Sequence, residues 1–229
     1  MRILAIDTSC GAVSACVLDS GADEAIARRS EPMERGHAEA LAPMLEQLMF
    51  GVEGGFASLD RIAATVGPGS FTGIRVGLAT ARAMGLALNV PVIGVSTLVA
   101  FAGPLLFEPS PGIIASAIDA RHGRVYLQLF ESVGRPLIPA RIEGLREAVR
   151  AIGAGPVRMT GSGARILALE AARVGLGADL TGSVDFPDIL AVARIGLALD
   201  PRDCPPRPLY LKSPDARPAT GEGVARANP

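Results

Sequence analysis

Apolar and polar positions along the chain change rhythm in a fixed order, and that order comes twice. Residues 2–7 form an apolar run that stops at Asp7, and residues 12–18 form a second run after a polar turn containing Gly11. Two short runs divided by a tight turn predict a β-hairpin. A third strand is expected near 24–30. Between 36 and 49, Leu41, Met44, Leu45 and Leu48 recur at i, i+3, i+4 and i+7, the stripe of an amphipathic helix. Pro43 lies inside it, so a kink or a restart is expected there. A strand near 60–66, a helix near 72–89, a short strand near 91–94 and a helix near 96–106 complete the first half. The second half reads as strands near 112–119, 124–131 and 135–142 and a helix near 143–152. A strand near 156–160 and helices near 163–175 and 187–199 follow.

The halves share residues as well as rhythm. Ala5-Ile6-Asp7, followed by Gly11, Val13 and Val17, returns 112 residues later as Ala117-Ile118-Asp119, followed by Gly123, Val125 and Leu129. Residues 62–66 lead into Gly67-Pro68-Gly69, and residues 157–160 lead into Gly161-Ser162-Gly163. Glycine suits such strand-to-helix turns because it permits positive φ and close backbone approach. Three strands, helix, strand, helix, repeated, predicts an α/β chain with the duplicated actin-like ATPase fold of acetate and sugar kinases, Hsp70 and actin. The two βββαβα subdomains are expected over 1–106 and 107–212, with the boundary between Gly103-Pro104 and Pro111-Gly112. A plain doubly wound sheet does not account for the repeat. Residues 213–229 read as a disordered tail.

Composition narrows the partners. Of 229 residues 49% are hydrophobic and 20% charged, ordinary for a globular α/β protein and too apolar for a disordered one. Apolar stretches are broken by Arg, Gly or Pro before about 18 residues, so no membrane span is expected. Asp7 comes too early for a signal-peptide core, and the cytoplasm is the expected location. Cys10, Cys16 and Cys204 are too scattered for a disulfide framework or zinc site. The net charge of −1 offers no basic surplus for gripping nucleic acid alone. If nucleic acid is involved, a partner does the holding.

The candidate chemistry is sparse. Asp7, Thr8 and Ser9 stand at a strand end, where they could bind phosphate or Mg²⁺, or where Asp7 could cap its own turn. With no second carboxylate nearby the turn cap is favoured, since Mg²⁺ sites usually draw on one or two carboxylates plus phosphates. Gly161, Ser162 and Gly163 form a second candidate phosphate turn. The segment from Gly67 to Gly73 is not a P-loop, because Ile74 and Arg75 follow Gly73; a tight turn into a close-packed helix is expected. That helix carries Gly73, Gly77, Ala81 and Gly85 at four-residue spacing, a small face that packs either on its own sheet or on another backbone. Arg75 and Arg82 share a different face and could reach acidic groups. His37 and Glu39 look like part of a metal motif, but Leu41 stands where a second histidine would be. His122 lies in the turn Arg121-His122-Gly123-Arg124, with no catalytic partner at recognisable spacing. Two histidines and one lysine, Lys212, leave little for acid–base or nucleophilic catalysis.

Leu4-Ala5-Ile6-Asp7-Thr8-Ser9, the stretch from Gly36 to Leu45 and the stretch from Gly67 to Gly77 resemble the TsaB (YeaZ-type) family of bacterial tRNA threonylcarbamoyladenosine biosynthesis proteins. Asp119-Ala120-Arg121 and Pro208-Leu209-Tyr210-Leu211-Lys212 fit the same pattern. The resemblance implies a non-catalytic relative of TsaD, whose metal-dependent site carries an Asn-His-x-x-x-His segment. Here Thr97 and Phe101 stand where those two histidines would be. It implies pairing with a TsaD-like catalytic subunit, a TsaE-like ATPase joining, tRNA met only through the complex, and a homodimer in isolation. No cofactor is implied, ATP or ADP entering only at a shared interface. The pairing helices would contribute His37, Leu41, Met44, Leu45, Leu48, Ile74, Gly77, Leu78, Ala81, Arg82 and Gly85. On that reading Ala81→Glu abolishes pairing and leaves the fold intact. Two other classes stay open: an actin-like small-molecule kinase or ATPase using Asp7, Thr8 and the turn at 161–163, and a metallopeptidase-like protein.

Overall fold

In the computed structural model, which describes residues 1–108, 110–180 and 183–212, the chain makes two mixed sheets. The first half contains β1 (Arg2–Asp7), β2 (Ala12–Asp19), β3 (Ala27–Pro32), α1 (His37–Phe50), β4 (Arg61–Gly67), α2 (Phe71–Leu88), β5 (Val92–Ser96) and α3 (Thr97–Phe107). The second contains β6 (Ile113–Asp119), β7 (Arg124–Glu131), β8 (Pro136–Gly144), α4 (Leu145–Ile152), β9 (Val157–Thr160), α5 (Ala164–Ala172) and α6 (Ile189–Ala198). Strand order is β3-β2-β1-β4-β5 in one sheet and β8-β7-β6-β9 in the other. In each, two antiparallel pairings are followed by a parallel one across a helix, Ile3 facing Arg61 and Ile113 facing Val157. The duplicated actin-like fold predicted from the repeat is the fold observed.

The sequence explains why the strands sit where they do. β1 is apolar on both faces, as a central strand covered by helices on each side must be. β3 is an edge strand reading Ala-Arg-Arg-Ser-Glu-Pro, and it begins at residue 27 rather than near 24. An edge strand exposed along one side lacks the apolar alternation that would have fixed its start. A 3₁₀ turn at Gly55–Ser58 has no periodic signal in the sequence. α1 runs unbroken through Pro43, so no restart occurs there.

Each sheet is covered on both faces. α1 and α2 pack on the outer face of the first sheet, and α4 and α5 on the outer face of the second. The inner layers are exchanged between halves. α6 packs Ile189, Val192 and Ala193 on Ile3, Ala5 and Ala63 of the first sheet. α3 packs Leu98 and Phe101 on Ile118, and Ala102 on Ile114 and Phe130, of the second. Among the described residues no helix is long and apolar enough to cross a membrane. The tail expected to be disordered, 213–229, lies outside the described residues.

Candidate functional site

The β1–β2 turn is closed rather than open. Asp7, Thr8 and Ser9 are all buried. Asp7 Oδ1 accepts from the Ser9 amide (3.0 Å), Ser9 Oγ (2.6 Å) and Thr65 Oγ1 (2.5 Å), while Oδ2 has no partner among the described residues. Burial pushes the Asp7 carboxyl up from its ordinary range, and the hydrogen bonds from Ser9 and Thr65 and the nearby His37 only partly offset this. The segment from Gly69 to Gly73 sits directly on the turn. Ser70 donates its amide to the Ser9 carbonyl (2.8 Å), and Thr8 Oγ1 donates to the Gly73 carbonyl (2.7 Å). A Cβ on Gly73 would lie 2.0 Å from the Thr8 carbonyl oxygen, so glycine is required there by close approach. His37 adds a contact from α1, its Nε2 lying 3.1 Å from the Cys10 carbonyl oxygen. Desolvation also pushes up the Cys10 thiol.

The second candidate turn is its counterpart. Asp119 Oδ1 accepts from the Arg121 amide (2.8 Å), as Asp7 does from Ser9, so both aspartates make Asx-turns. Gly161 has φ +94°, and a Cβ there would lie 2.3 Å from the Ala117 carbonyl oxygen. Ser162 Oγ accepts from the Asp119 amide (3.3 Å), and the Gly163 amide donates to Ala117 (3.0 Å). Between the halves, Thr97 and Phe101 are buried on α3, Phe101 filling the joint beside Leu98 and Ile118. Among the described residues no three His, Cys, Asp or Glu side chains gather as a metal-binding group.

The stripe expected to meet a partner is core. Leu41, Met44, Leu45, Leu48, Ile74, Leu78 and Ala81 are buried in one cluster with Leu4, Ile6, Ile62 and Ala64 of the first sheet. The small face of α2 packs on that sheet too: a Cβ on Gly77 would meet Thr8 Oγ1 at 2.5 Å, and one on Gly85 would meet Val92 Cγ2 at 2.3 Å. These nine positions are therefore taken up by the chain's own core, and of those expected at the interface His37 is half-buried and Arg82 exposed. The physical reason is that an amphipathic stripe seeks the nearest apolar surface, here the chain's own sheet. Ala81 is 0% exposed, so a glutamate there buries an unpaired charge and breaks the fold.

The opposite faces of these helices carry the unabsorbed feature. α2 is apolar nearly all round, its outward side presenting Ala79, Ala83 and Leu86, the last 87% exposed. On α1 the outward side is mixed, Ala42, Pro43 and Phe50, the last 95% exposed, lying among exposed Glu39, Glu46 and Gln47. A helix apolar on every side normally lies buried, and contiguous exposed apolar surface marks an interaction site. The signal was present in the sequence: α2 has two charges, Arg75 and Arg82, in eighteen residues.

A family model described as TsaD, tRNA N6-adenosine threonylcarbamoyltransferase, matches residues 30–179, more than half of the chain. The chain is 36% identical over 126 residues to the tRNA threonylcarbamoyladenosine biosynthesis protein TsaB of Escherichia coli K12, 55% of this chain and 53% of that protein. It thus spans about half the length of the curated TsaB relatives it matches. An uncharacterized protein of Mycobacterium tuberculosis H37Rv is 31% identical over 222 residues, 94% of each chain. The solved structure of YeaZ from Pseudomonas aeruginosa superposes with a TM-score of 0.71 at 26% identity, covering 92% of this chain and 99% of that one.

Proposed function

The chain belongs to the TsaD family of tRNA N6-adenosine threonylcarbamoyltransferases as a TsaB/YeaZ-type member, and from this we propose that it is a non-catalytic pairing subunit in tRNA threonylcarbamoyladenosine biosynthesis. The observation that carries the reading is the outward face of α2, apolar and exposed beside Phe50 of α1 although the inward face of both helices already forms the core. Two helices from each partner would bury these surfaces as a four-helix contact. The occupant is a TsaD-like catalytic subunit, whose related fold offers a matching helix pair. A second copy of this chain fills the same face in isolation, as a homodimer. A TsaE-like ATPase joins the pair in the cytoplasm, tRNA is met through the complex, and ATP or ADP enters only at a shared interface.

Two features support the non-catalytic half. Thr97 and Phe101, at the positions where the family resemblance sets metal-binding histidines, are packed into the joint between the halves. Asp7, Thr8 and Ser9 are covered by the start of α2, which leaves this turn a structural role. Ala83, exposed at the centre of the α2 outer face, tests the pairing. Ala83→Glu is expected to keep the melting temperature and to abolish co-purification with the TsaD-like subunit of the same organism. Undiminished co-purification removes this face as the interface.

A further inference from the structure

Arg75 and Arg82 are the only charged residues of α2, and among the described residues neither forms an ion pair. Both are nevertheless held in place by the segment 204–210. This segment runs past the ends of β4 and β5, where the Gly94 amide donates to the Cys204 carbonyl (2.9 Å) and the Leu209 amide donates to the Val66 carbonyl (2.7 Å). From it Tyr210 Oη accepts from Arg75 Nε (3.0 Å), and the Pro206 carbonyl accepts from Arg82. The Arg75 guanidinium carbon lies 3.8 Å above the Phe71 ring, whose centroid is 5.3 Å from that of Tyr210.

This is an ordered cation with neutral supports. Stacking and the Tyr210 bond fix the Arg75 plane, yet its two terminal nitrogens donate to no described residue. A guanidinium so fixed accepts a carboxylate across those nitrogens with little further loss of side-chain freedom. Arg82 stands seven residues on, about 10 Å along the same flank of the helix. No acid on α2 competes.

We propose that residues 204–210 and α2 together build a cationic rim on the pairing face, and that it receives two carboxylates of the partner subunit set about 10 Å apart. The inference rests on the pairing reading above and adds to it the chemistry that selects the partner. The apolar centre of the face supplies area, which any helix pair could match. The rim admits a helix pair with acids at that spacing and disfavours one with bases there.

The test is the affinity of the full chain for the TsaD-like subunit, measured by titration calorimetry at about 50 and 500 mM salt, where screening differs strongly. Wild type is expected to bind more weakly at high salt. The double variant Arg75→Glu/Arg82→Glu is expected to lose about tenfold or more at low salt and to recover part of that loss at high salt, where screening weakens the repulsion between carboxylates. Tyr210→Phe, which frees the Arg75 plane, is expected to lose less. Both arginines are exposed, so unchanged melting curves are expected. If Ala83→Glu abolishes binding while the double variant binds as wild type at both salts, the pairing face stands and the rim is overturned. If neither variant alters binding, the face itself is misplaced and the rim falls with it.

Discussion

Asp7 shows how burial decides between the two roles its position at a strand end allows, ligand or turn cap. Its carboxyl is 0% exposed, one oxygen takes three hydrogen bonds, and the other takes none among the described residues. Desolvation favours the neutral acid, so the folded state keeps this proton to a higher pH than the unfolded chain, whose ordinary value is 3.8. A folded-state value raised above the unfolded one gives stability that is complete below the unfolded value. That stability is lost as pH rises toward the folded value. Asp7→Asn removes this titration, so the stability gap between wild type and variant should shift against wild type over the pH range that begins at the ordinary carboxylate value of 3.8 and extends upward. Thermal melts across that range check it; a constant gap would show that Asp7 titrates alike in both states. The turn cap at Asp7 was legible in the sequence, because an Asx-turn is local, and the repeat carries the same turn to Asp119. That the start of α2 covers the first turn was not legible, because Thr8 and Gly73 meet across 65 residues of sequence.

At the scale of elements, periodicity placed every helix and strand within a few residues except where packing left no pattern. The edge strand β3 began three residues late, and the 3₁₀ turn at Gly55–Ser58 was unsignalled. The larger difference between sequence and structure concerns direction. The stripe at Leu41, Met44, Leu45 and Leu48 identifies a helix, but its spacing does not say whether sheet or partner covers it. Only the tertiary fold shows that the sheet does. α2 carries the clearest test of this arrangement. Alanine is the better helix former by about 1 kcal/mol, so Gly73→Ala would stabilise a free helix. Here the added methyl meets the Thr8 carbonyl oxygen at 2.0 Å, backbone against backbone. The variant is expected to lose about 1–3 kcal/mol in denaturant unfolding, the range of overpacked cores. A gain in stability would mean that α2 does not sit on the β1–β2 turn.

At the scale of the whole molecule, the duplication yields two sheets clasped by exchanged inner helices, α3 on the second and α6 on the first. In this arrangement Thr97 and Phe101 are buried between the halves, and exposed apolar residues lie on the outer face of α2 and at Phe50 of α1. A protein so built offers a surface more readily than a pocket, which is why pairing is the central claim. The direct measurement is threonylcarbamoyladenosine in tRNA, read by mass spectrometry of nucleosides after incubation with substrates, the TsaE-like ATPase and the TsaD-like subunit. The account predicts formation when wild-type chain is added, none from the chain without the TsaD-like subunit, and none when Ala83→Glu replaces wild type. Product made without the TsaD-like subunit, or undiminished with Ala83→Glu, would contradict it.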